Sequence, residues 1–153
     1  MDNEKLKSLI ESWEPTAEVT YEGIQQLTAV VAPEKLYALA EKLHGEAETQ
    51  FDFLISLSGV DYKEHMEVVY HLRCQETFSE MVLKAKIPSR TKPEVDTVCT
   101  IWRAAEWHER EAYDLFGIVF LKHPDLRRIL LADDWVGYPM RKDYVDTVNI
   151  VSY

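Results

Sequence analysis

Three consecutive stretches between residues 51 and 87 alternate apolar and polar side chains, and short polar turns separate them. A period of two is that of a β-strand with one buried face, and short turns join strands that pair antiparallel. We therefore predict that these stretches are the third, fourth and fifth strands of an antiparallel sheet. Their predicted inward residues are Phe51, Phe53, Ile55 and Leu57 in the third strand, Met66, Val68, Tyr70, Leu72 and Cys74 in the fourth, and Met81, Leu83, Ala85 and Ile87 in the fifth.

Two helices and two further strands are predicted in the first fifty residues. Residues 3–13 and 33–45 have apolar side chains at helical spacing, and a proline begins the second segment while a glycine ends it. Residues 17–22 and 27–31 alternate as strands, with a turn at Gly23. This order of elements predicts an α+β fold in which helices cover one face of a five-stranded antiparallel or mixed sheet.

A third helix is predicted after a loop at residues 88–97. Helical spacing returns from about Val95, and Gly117 ends the helix. The 153 residues are expected to form a single domain, as their number suits one core. Within it, residues 1–92 form the sheet core, and residues 93–153 form the helix and an extended docking tail.

Charged residues on this helix are spaced for ion pairs. Glu106, Arg110 and Asp114 follow one another at intervals of four, which predicts that one arginine pairs with two acids. Beyond Phe120 the chain is rich in aromatic and apolar residues but has little regular period. Such a tail either needs a partner that defines its conformation or wraps its own domain.

The composition limits the environments in which this chain can work. Nearly all of its net charge of −10 falls in the first 76 residues, so nucleic acid and anionic lipid would repel that half. No apolar run approaches the roughly 20 residues of a membrane helix. The acidic N-terminus does not resemble a secretory signal. We expect a soluble, cytoplasmic protein that another subunit anchors if it works at a membrane.

The sequence contains no recognisable catalytic or cofactor-binding motif. Its two cysteines form no Cys-x-x-Cys pair, whereas an iron–sulfur cluster usually has four thiolate ligands. His65 and Glu67 are near enough to share a metal ion, but no third ligand is evident, so a solvated strand face is favoured. Glu109 and Glu111 point in different directions on a helix, which favours ion pairs with arginines over a catalytic pair.

Residues 107–144 combine aromatic, arginine and acidic side chains, and aromatic residues and arginine are enriched at interface hot spots. Within this run lie Glu109-Arg110-Glu111, Asp114-Leu115-Phe116, His123, Arg127-Arg128-Ile129-Leu130 and the block from Asp133 to Tyr144. These motifs resemble the signature of the C subunit of the respiratory NADH:quinone oxidoreductase, complex I. Val145 stands where that family usually has proline, and the long C-terminal extension of many members is not part of this sequence.

The resemblance implies an accessory subunit of the hydrophilic arm, without a redox centre or a catalytic residue. Its partners would be the large hydrogenase-like D subunit and neighbouring subunits of that arm. These partners would bind NADH, FMN, the iron–sulfur clusters and quinone, and would hold the chain at the cytoplasmic face of the cell membrane. The complex would transfer electrons from NADH to quinone and translocate ions. The implied subunit interface consists of Glu109, Arg110, Glu111, Asp114, His123, Arg127, Arg128, Asp133, Asp134, Trp135, Arg141, Lys142 and Asp143.

Two alternative functions remain open from the sequence. The equivalent subunit of a membrane-bound hydrogenase, or of a ferredoxin- or F420-linked relative, would dock in the same way but serve another electron donor. A free-standing small-molecule-binding domain would instead require a concave pocket and a stable isolated monomer.

Overall fold

The computed structural model describes residues 2–21 and 26–146. The predicted turn at Gly23 therefore lies outside the described residues. The helices are α1 (Asn3–Trp13), α2 (Pro33–Gly45) and α3 (Ala105–Phe116), and the strands are β1 (Glu18–Thr20), β2 (Leu27–Val31), β3 (Phe53–Asp61), β4 (Met66–Arg73), β5 (Glu80–Ile87), β6 (Glu94–Asp96) and β7 (Val119–Leu121).

The main sheet contains five strands in the order β1-β2-β5-β4-β3. Strands β3, β4 and β5 pair antiparallel, as their short turns predict, and β1 pairs antiparallel with β2. Strand β2 pairs with β5 in the parallel direction, so the sheet is mixed. The predicted α+β fold with a five-stranded mixed sheet is confirmed. Strands β6 and β7 add a small parallel pair, which the apolar–polar pattern did not predict.

The core lies between the helices and the inward face of this sheet. All the inward residues predicted for β4 and β5 are buried. Leu6 and Ile10 of α1, together with Leu36, Leu39 and Leu43 of α2, belong to the same buried cluster. Full burial of one such side chain stabilises a fold by roughly 1.5–3 kcal/mol, so the two helices are fixed on the sheet mainly by these contacts.

Strand β3 departs from the predicted alternation. Phe53 and Ile55 are 45% and 41% exposed, whereas Leu54 and Leu57 are buried. The pairing of β3 with β4 shifts between Leu54 and Ser56, which marks a β-bulge. A bulge inserts one residue and so interrupts the alternation of side chains between the two faces. The prediction that Phe53 and Ile55 share the inward face with Leu57 is therefore wrong.

Helix α3 begins at Ala105 rather than near Val95, and the predicted loop contains the short strand β6. The Val98 carbonyl accepts the N–H groups of Ile101 and Trp102, both at 2.9 Å, so a separate turn precedes the helix. One such turn has nearly the spacing of an α-helix without continuing as one. The apolar pattern therefore merged a turn and a helix into one predicted element.

Two glycines allow the end of α3 to pack closely on its surroundings. Gly117 ends the helix, as predicted, with a φ angle of 71° that favours glycine. At Gly59 of β3, an added Cβ would lie 2.8 Å from the ring of Phe116. The helix can therefore rest directly on the strand backbone. Within residues 2–21 and 26–146, no helix is long and apolar enough to cross a membrane.

Candidate functional site

Residues 122–146, which we call the C-terminal tail, fold back over helix α3. The N–H of Met140 donates to the Leu115 carbonyl at 3.0 Å, and Arg141 Nε donates to the Phe116 carbonyl at 2.6 Å. Carbonyls in the last turn of a helix lack partners within the helix. The tail therefore satisfies the C-terminal end of α3. The sequence left two alternatives for the tail, and in this structure the tail wraps its own domain.

Asp114 is fully buried and binds the middle of the tail through one carboxylate. Its Oδ2 accepts the backbone N–H groups of Ile129, Leu130 and Leu131 at 3.1, 2.7 and 2.9 Å. Its Oδ1 accepts Arg128 Nη1 at 2.7 Å. Burial alone would raise the pKa of Asp114, but these four donors outweigh it and lower the pKa below its ordinary value. The ionised carboxylate is thus part of the folded structure.

Arg128 connects Asp114 to the next part of the tail. Its guanidinium also donates to the carbonyls of Trp135 and Gly137 at 3.0 and 3.1 Å. It lies 5.3 Å from the ring centre of Tyr138, and its side chain is only 14% exposed. In the isolated chain Arg128 therefore has intramolecular partners for much of its hydrogen-bonding capacity.

Arg110 does not pair with Glu106 and Asp114 as its spacing suggested. Its guanidinium instead donates to the carbonyls of Arg127 and Arg128 at 3.2 and 3.1 Å. The two tail residues come close enough because Asp114 holds the segment that follows them. Tertiary contacts have replaced the predicted pairing along one helix face.

Glu109 is a second fully buried acid on α3, and its hydrogen-bond partners are neutral. One oxygen accepts the Thr97 hydroxyl, and the other accepts the Val98 N–H at 2.8 Å. Burial raises the pKa of Glu109 to about 7, although these two hydrogen bonds oppose the shift. Near neutral pH this residue therefore exists in both protonated and ionised forms.

His123, near the start of the tail, lies beside Glu109. Its side chain is fully buried, and its Nε2 lies 3.8 Å from a Glu109 carboxylate oxygen. Nδ1 accepts the N–H of Asp125 at 3.0 Å, so Nε2 carries the proton and donates to the Glu106 carbonyl at 3.0 Å. The hydroxyl of Tyr70 is buried without a hydrogen bond among the described residues. Burial, followed by the charge of Glu109, raises the pKa of Tyr70.

Asp61, at the end of β3, is a third buried acid and holds the last part of the tail. Its oxygens accept Arg90 Nε and Nη2 at 3.1 and 2.7 Å, the Lys142 N–H at 2.9 Å and the Lys63 N–H at 2.8 Å. Arg90 also pairs with Asp143 at 3.1 Å. Burial opposes ionisation, but the four hydrogen bonds lower the pKa of Asp61 to about 2.

Asp61 and Arg90 were not among the residues predicted for the site. The sequence did contain one signal for Asp61, because Leu57, Gly59 and Asp61 alternate on one face of β3 beyond the bulge. An acid in such a position must find a partner when the strand is buried. Nothing in the loop sequence around Arg90 distinguishes it from an ordinary surface arginine.

Tyr138 packs where the tail crosses the end of α3. A Cβ at position 117 would lie 2.5 Å from its ring, so the ring lies against the backbone of Gly117. The guanidinium groups of Arg128 and Arg141 lie 5.3 and 5.0 Å from the ring centre. These are cation–π distances, so the ring helps to hold both arginines.

The thirteen residues predicted for a subunit interface fall into three groups in this structure. Taken as whole residues, Glu109, Arg110 and Asp114 are buried, and His123, Arg128, Trp135 and Arg141 are half-buried; the exposed part of His123 is its backbone, since its side chain is fully buried. Glu111, Arg127, Asp133, Asp134, Lys142 and Asp143 are exposed. The first two groups contain the residues that shape the tail, whereas the third is available to a partner.

Large apolar side chains are also exposed along the tail and on α3. They are Trp107, Ile129, Leu130, Val136, Met140 and Val145. Val136 is the most exposed of them, at 85%. The Arg110 guanidinium lies 5.2 Å from the Trp107 ring centre, which places one aromatic–arginine pair at this surface. Exposed apolar groups among charged ones are typical of surfaces that bind another protein.

His65 and Glu67, the two residues near enough to share a metal ion, contact each other in this structure. His65 Nε2 and a Glu67 oxygen lie 3.1 Å apart, and Lys84 lies 3.8 Å from the other oxygen. Among residues 2–21 and 26–146 no cluster of three His, Cys, Asp or Glu side chains has the geometry to hold a metal ion. Glu67 is also only 8% exposed, so the prediction that it lies on a solvated strand face is wrong.

Comparisons with known proteins identify the family of this chain. The family described as respiratory-chain NADH dehydrogenase, 30 Kd subunit, matches residues 29–148. The combined C/D subunit of the NADH-quinone oxidoreductase of Phocaeicola vulgatus is 47% identical over 122 residues, which make up 76% of this chain and 24% of that protein. The C subunit of the same enzyme from Chloroherpeton thalassium is 45% identical over 108 residues, 70% of this chain and 45% of that protein. This chain thus spans less than half the length of either relative.

Two further relatives match over most of their own length. The C subunit of the F(420)H(2) dehydrogenase of Methanosarcina mazei is 40% identical over 134 residues, covering 86% of this chain and 83% of that protein. A chain in the solved structure of the membrane-bound sulfane sulfur reductase, an archaeal respiratory membrane complex, superposes with a TM-score of 0.77 and 29% identity, covering 95% of this chain and 86% of that one. Because the family match extends over most of the sequence, this chain belongs to the family of the 30 kDa subunit of respiratory-chain NADH dehydrogenase, which is the C subunit of NADH-quinone oxidoreductase.

Proposed function

We propose that this chain is the C subunit of a membrane-associated respiratory oxidoreductase and that its contribution is architectural. Its family membership supports the identity of the subunit. The assembled enzyme would transfer electrons from NADH to quinone and couple this transfer to ion translocation. This chain would lie on the cytoplasmic side of the membrane, held there by its partners.

The observation that carries the architectural role is the way in which three buried acids organise the tail. Asp114 and Asp61 bind its backbone directly, and Glu109 lies beside the buried side chain of His123. Apolar and charged side chains are left exposed on the outer surface. A surface that is ordered before binding loses less entropy on association, so such a tail is suited to docking.

The proposed partner is the large D subunit. Phocaeicola vulgatus has a single protein named for both C and D, in which the part that matches this chain is 24% of the length. A fusion keeps its two parts within the reach of one connecting segment, and it therefore supports contact between the two subunits. The exposed residues of the tail, including Arg127, Asp133 and Asp134, are the ones proposed to face the partner.

We also propose that this chain carries no redox centre. Its only two cysteines, Cys74 and Cys99, are too few for an iron–sulfur cluster with four thiolate ligands. NADH, FMN, the clusters and quinone would all be bound by partner subunits. Cys74 is buried and Cys99 is half-buried, as expected for cysteines that serve as small packing groups.

A second candidate is the equivalent subunit of an F420-linked or other membrane-bound complex. The observation in its favour is the C subunit of the F(420)H(2) dehydrogenase of Methanosarcina mazei, which is 40% identical over 134 residues. The similarity to the sulfane sulfur reductase chain points in the same direction. No specific observation favours a free-standing small-molecule-binding domain.

Purification through an affinity tag on this chain tests these functions. The recovered complex would be assayed with NADH, reduced F420 and reduced ferredoxin, and quinone reduction by NADH is expected. Activity with only F420 or ferredoxin would support the second candidate instead. Recovery of the tagged chain without any partner would contradict both. Iron and sulfide analysis of the separately expressed chain is expected to find no stoichiometric metal.

A further inference from the structure

A groove with a volume of about 250 Å³ lies between helix α3 and strand β3, and the tail forms one of its sides. We call it the α3–β3 groove. Its apolar lining consists of Leu57, Gly59, Ala112, Leu115, Phe116 and Met140.

Two regular elements and a fixed point of the tail determine the shape of this groove. Gly59 lets the ring of Phe116 rest on the β3 backbone. The Met140 N–H is bound to the Leu115 carbonyl at 3.0 Å, so the position of Met140 is tied to the end of α3. Among the described strands, β3 is at one edge of the main sheet and pairs only with β4. The groove is thus formed by ordered backbone.

The exposed side chains at this groove are of two kinds. Met140 is 55% exposed, although it is a large apolar residue. Glu111, which also lines the groove, is exposed, and no residue in the described part of the chain forms an ion pair with it. The other two acids in this part of α3 are buried, and Asp114 has its cation in Arg128. An apolar site with an unpaired acid beside it suits an apolar side chain next to a base.

The occupant that the observations favour is the large D-like subunit. This choice rests on the proposed function, in which the exposed tail docks on that subunit. Met140 belongs both to the tail and to the groove, so the two surfaces are continuous. The C/D fusion of Phocaeicola vulgatus supports close contact between the two subunits.

We propose that the α3–β3 groove receives an apolar side chain of the D-like subunit, and that a lysine or arginine beside it pairs with Glu111. The inserted group contacts Met140 and Leu115, whose backbones are joined by a hydrogen bond. Glu111 then sets the orientation of the partner, because an acidic side chain of the partner placed next to Glu111 would oppose docking.

The test measures binding of the full chain to the D homologue of the source organism by biolayer interferometry. Two variants alter the groove: Glu111→Arg reverses the charge, and Met140→Asp places a charge in the apolar site. Two matched controls lie elsewhere. Glu41→Arg reverses another exposed helical acid without an ion pair in the described residues, and Phe78→Asp charges another exposed apolar residue. Thermal midpoints of all four variants establish that they fold.

We expect both groove variants to raise Kd at least about tenfold, and both controls to change it less than about twofold, because a partner base and a buried apolar contact are lost only at the groove. If the wild-type chain binds and both folded groove variants bind within twofold of it, the groove is not the contact and the D homologue docks elsewhere. If the wild-type chain does not bind the D homologue at all, the groove proposal and the proposed partner both fail.

Discussion

Glu109 lies in the interior, where its hydrogen-bond donors are a hydroxyl and a backbone N–H. Its pKa in the folded chain is about 7, against an ordinary 4.5, so the folded state binds this proton more tightly than the unfolded state does. The resulting stabilisation is complete below about pH 4.5 and is lost as the pH rises through 7. A shift of this size corresponds to at most about 3 kcal/mol.

We therefore predict that Glu109→Gln removes a pH dependence of stability. Glutamine can accept the Val98 N–H through its carbonyl oxygen and donate its amide N–H to the Thr97 hydroxyl, but it does not ionise. The variant should therefore gain stability relative to the wild type as the pH rises. Urea unfolding of both proteins between about pH 5 and pH 8 measures the difference. Glu111→Gln is the matched control, because Glu111 is exposed on the same helix. If the unfolding free energies of the wild type and Glu109→Gln change with pH in the same way, the prediction is wrong.

Arg127 and Arg128 are adjacent but differ in their surroundings. The Arg127 side chain is 69% exposed and pairs with Asp125, whereas that of Arg128 is 14% exposed and pairs with buried Asp114. We predict that Arg128→Glu destabilises the isolated chain by about 3–5 kcal/mol, because it leaves a buried carboxylate without its cation. Arg127→Glu should cost less than about 1 kcal/mol.

Thermal unfolding of the two charge-reversed variants, measured separately, tests this difference. Arg127→Glu serves as the control for the change of charge, and its effect on binding to the D homologue then tests the proposed interface. Equal thermal midpoints would show that the contacts of Arg128 contribute little to stability.

The family motifs identified the charged residues around α3, but which of them are buried could not be predicted from the sequence. Asp114 accepts hydrogen bonds from backbone N–H groups that lie 15 to 17 residues later in the chain. No side-chain pattern encodes a backbone donor, and the tail has no regular period. Helical spacing alone therefore assigned Arg110 to the wrong partners.

At the level of the elements, the end of α3 depends on a glycine in two ways. Gly117 has a φ of 71°, and an added Cβ would lie 2.5 Å from the Tyr138 ring. A side chain in the left-handed region costs about 1–2 kcal/mol, and the contact with Tyr138 adds to this. We predict that Gly117→Ala destabilises the chain by at least about 2 kcal/mol in chemical denaturation.

Gly45 provides the matched control for that substitution. It is the last residue of α2, and a Cβ there would meet no atom within 4 Å. Gly45→Ala should be neutral or should stabilise the chain by up to about 1 kcal/mol. Equal effects of the two substitutions would mean that neither the φ angle nor Tyr138 constrains position 117.

The ends of α2 were predictable because a proline and a glycine mark them, and β4 and β5 were predictable because alternation continues through them without interruption. The inward-facing residues of strand β3 were predicted wrongly at Phe53 and Ile55, because the apolar–polar pattern does not show the bulge near Ile55. The turn before Ala105 was read as helix for a similar reason. Local spacing identifies an element more reliably than it locates an irregularity within one.

At the scale of the whole molecule, Asp61 connects the sheet to the last part of the tail. Its pKa of about 2 lies below the ordinary 3.8, so its stabilisation is complete above about pH 3.8 and is lost as the pH falls through 2. We predict that Asp61→Asn lowers the unfolding free energy by about 2 kcal/mol at neutral pH, and that the difference from wild type shrinks towards pH 2.

Urea unfolding at neutral and acidic pH measures this difference, and hydrogen exchange at the Lys142 amide reports whether the tail opens. Asp143→Asn is the control, because its side chain is 62% exposed although it pairs with the same arginine. If the difference in unfolding free energy between the wild type and Asp61→Asn stays constant with pH, the ionised carboxylate does not have this role.

The parallel pairing of β2 with β5 has a consequence for how the chain folds during its synthesis. Leu27–Val31 of β2 pairs with Met81–Ala85 of β5. The elements α1, β1, β2 and α2 therefore leave the ribosome well before β5, the strand with which β2 pairs. Strands β3, β4 and β5 follow one another directly and pair in that order, and contacts between neighbouring segments form faster than distant ones. The three-stranded meander is therefore where folding is expected to begin. Until it forms, the apolar residues of β2 remain accessible to chaperones and proteases.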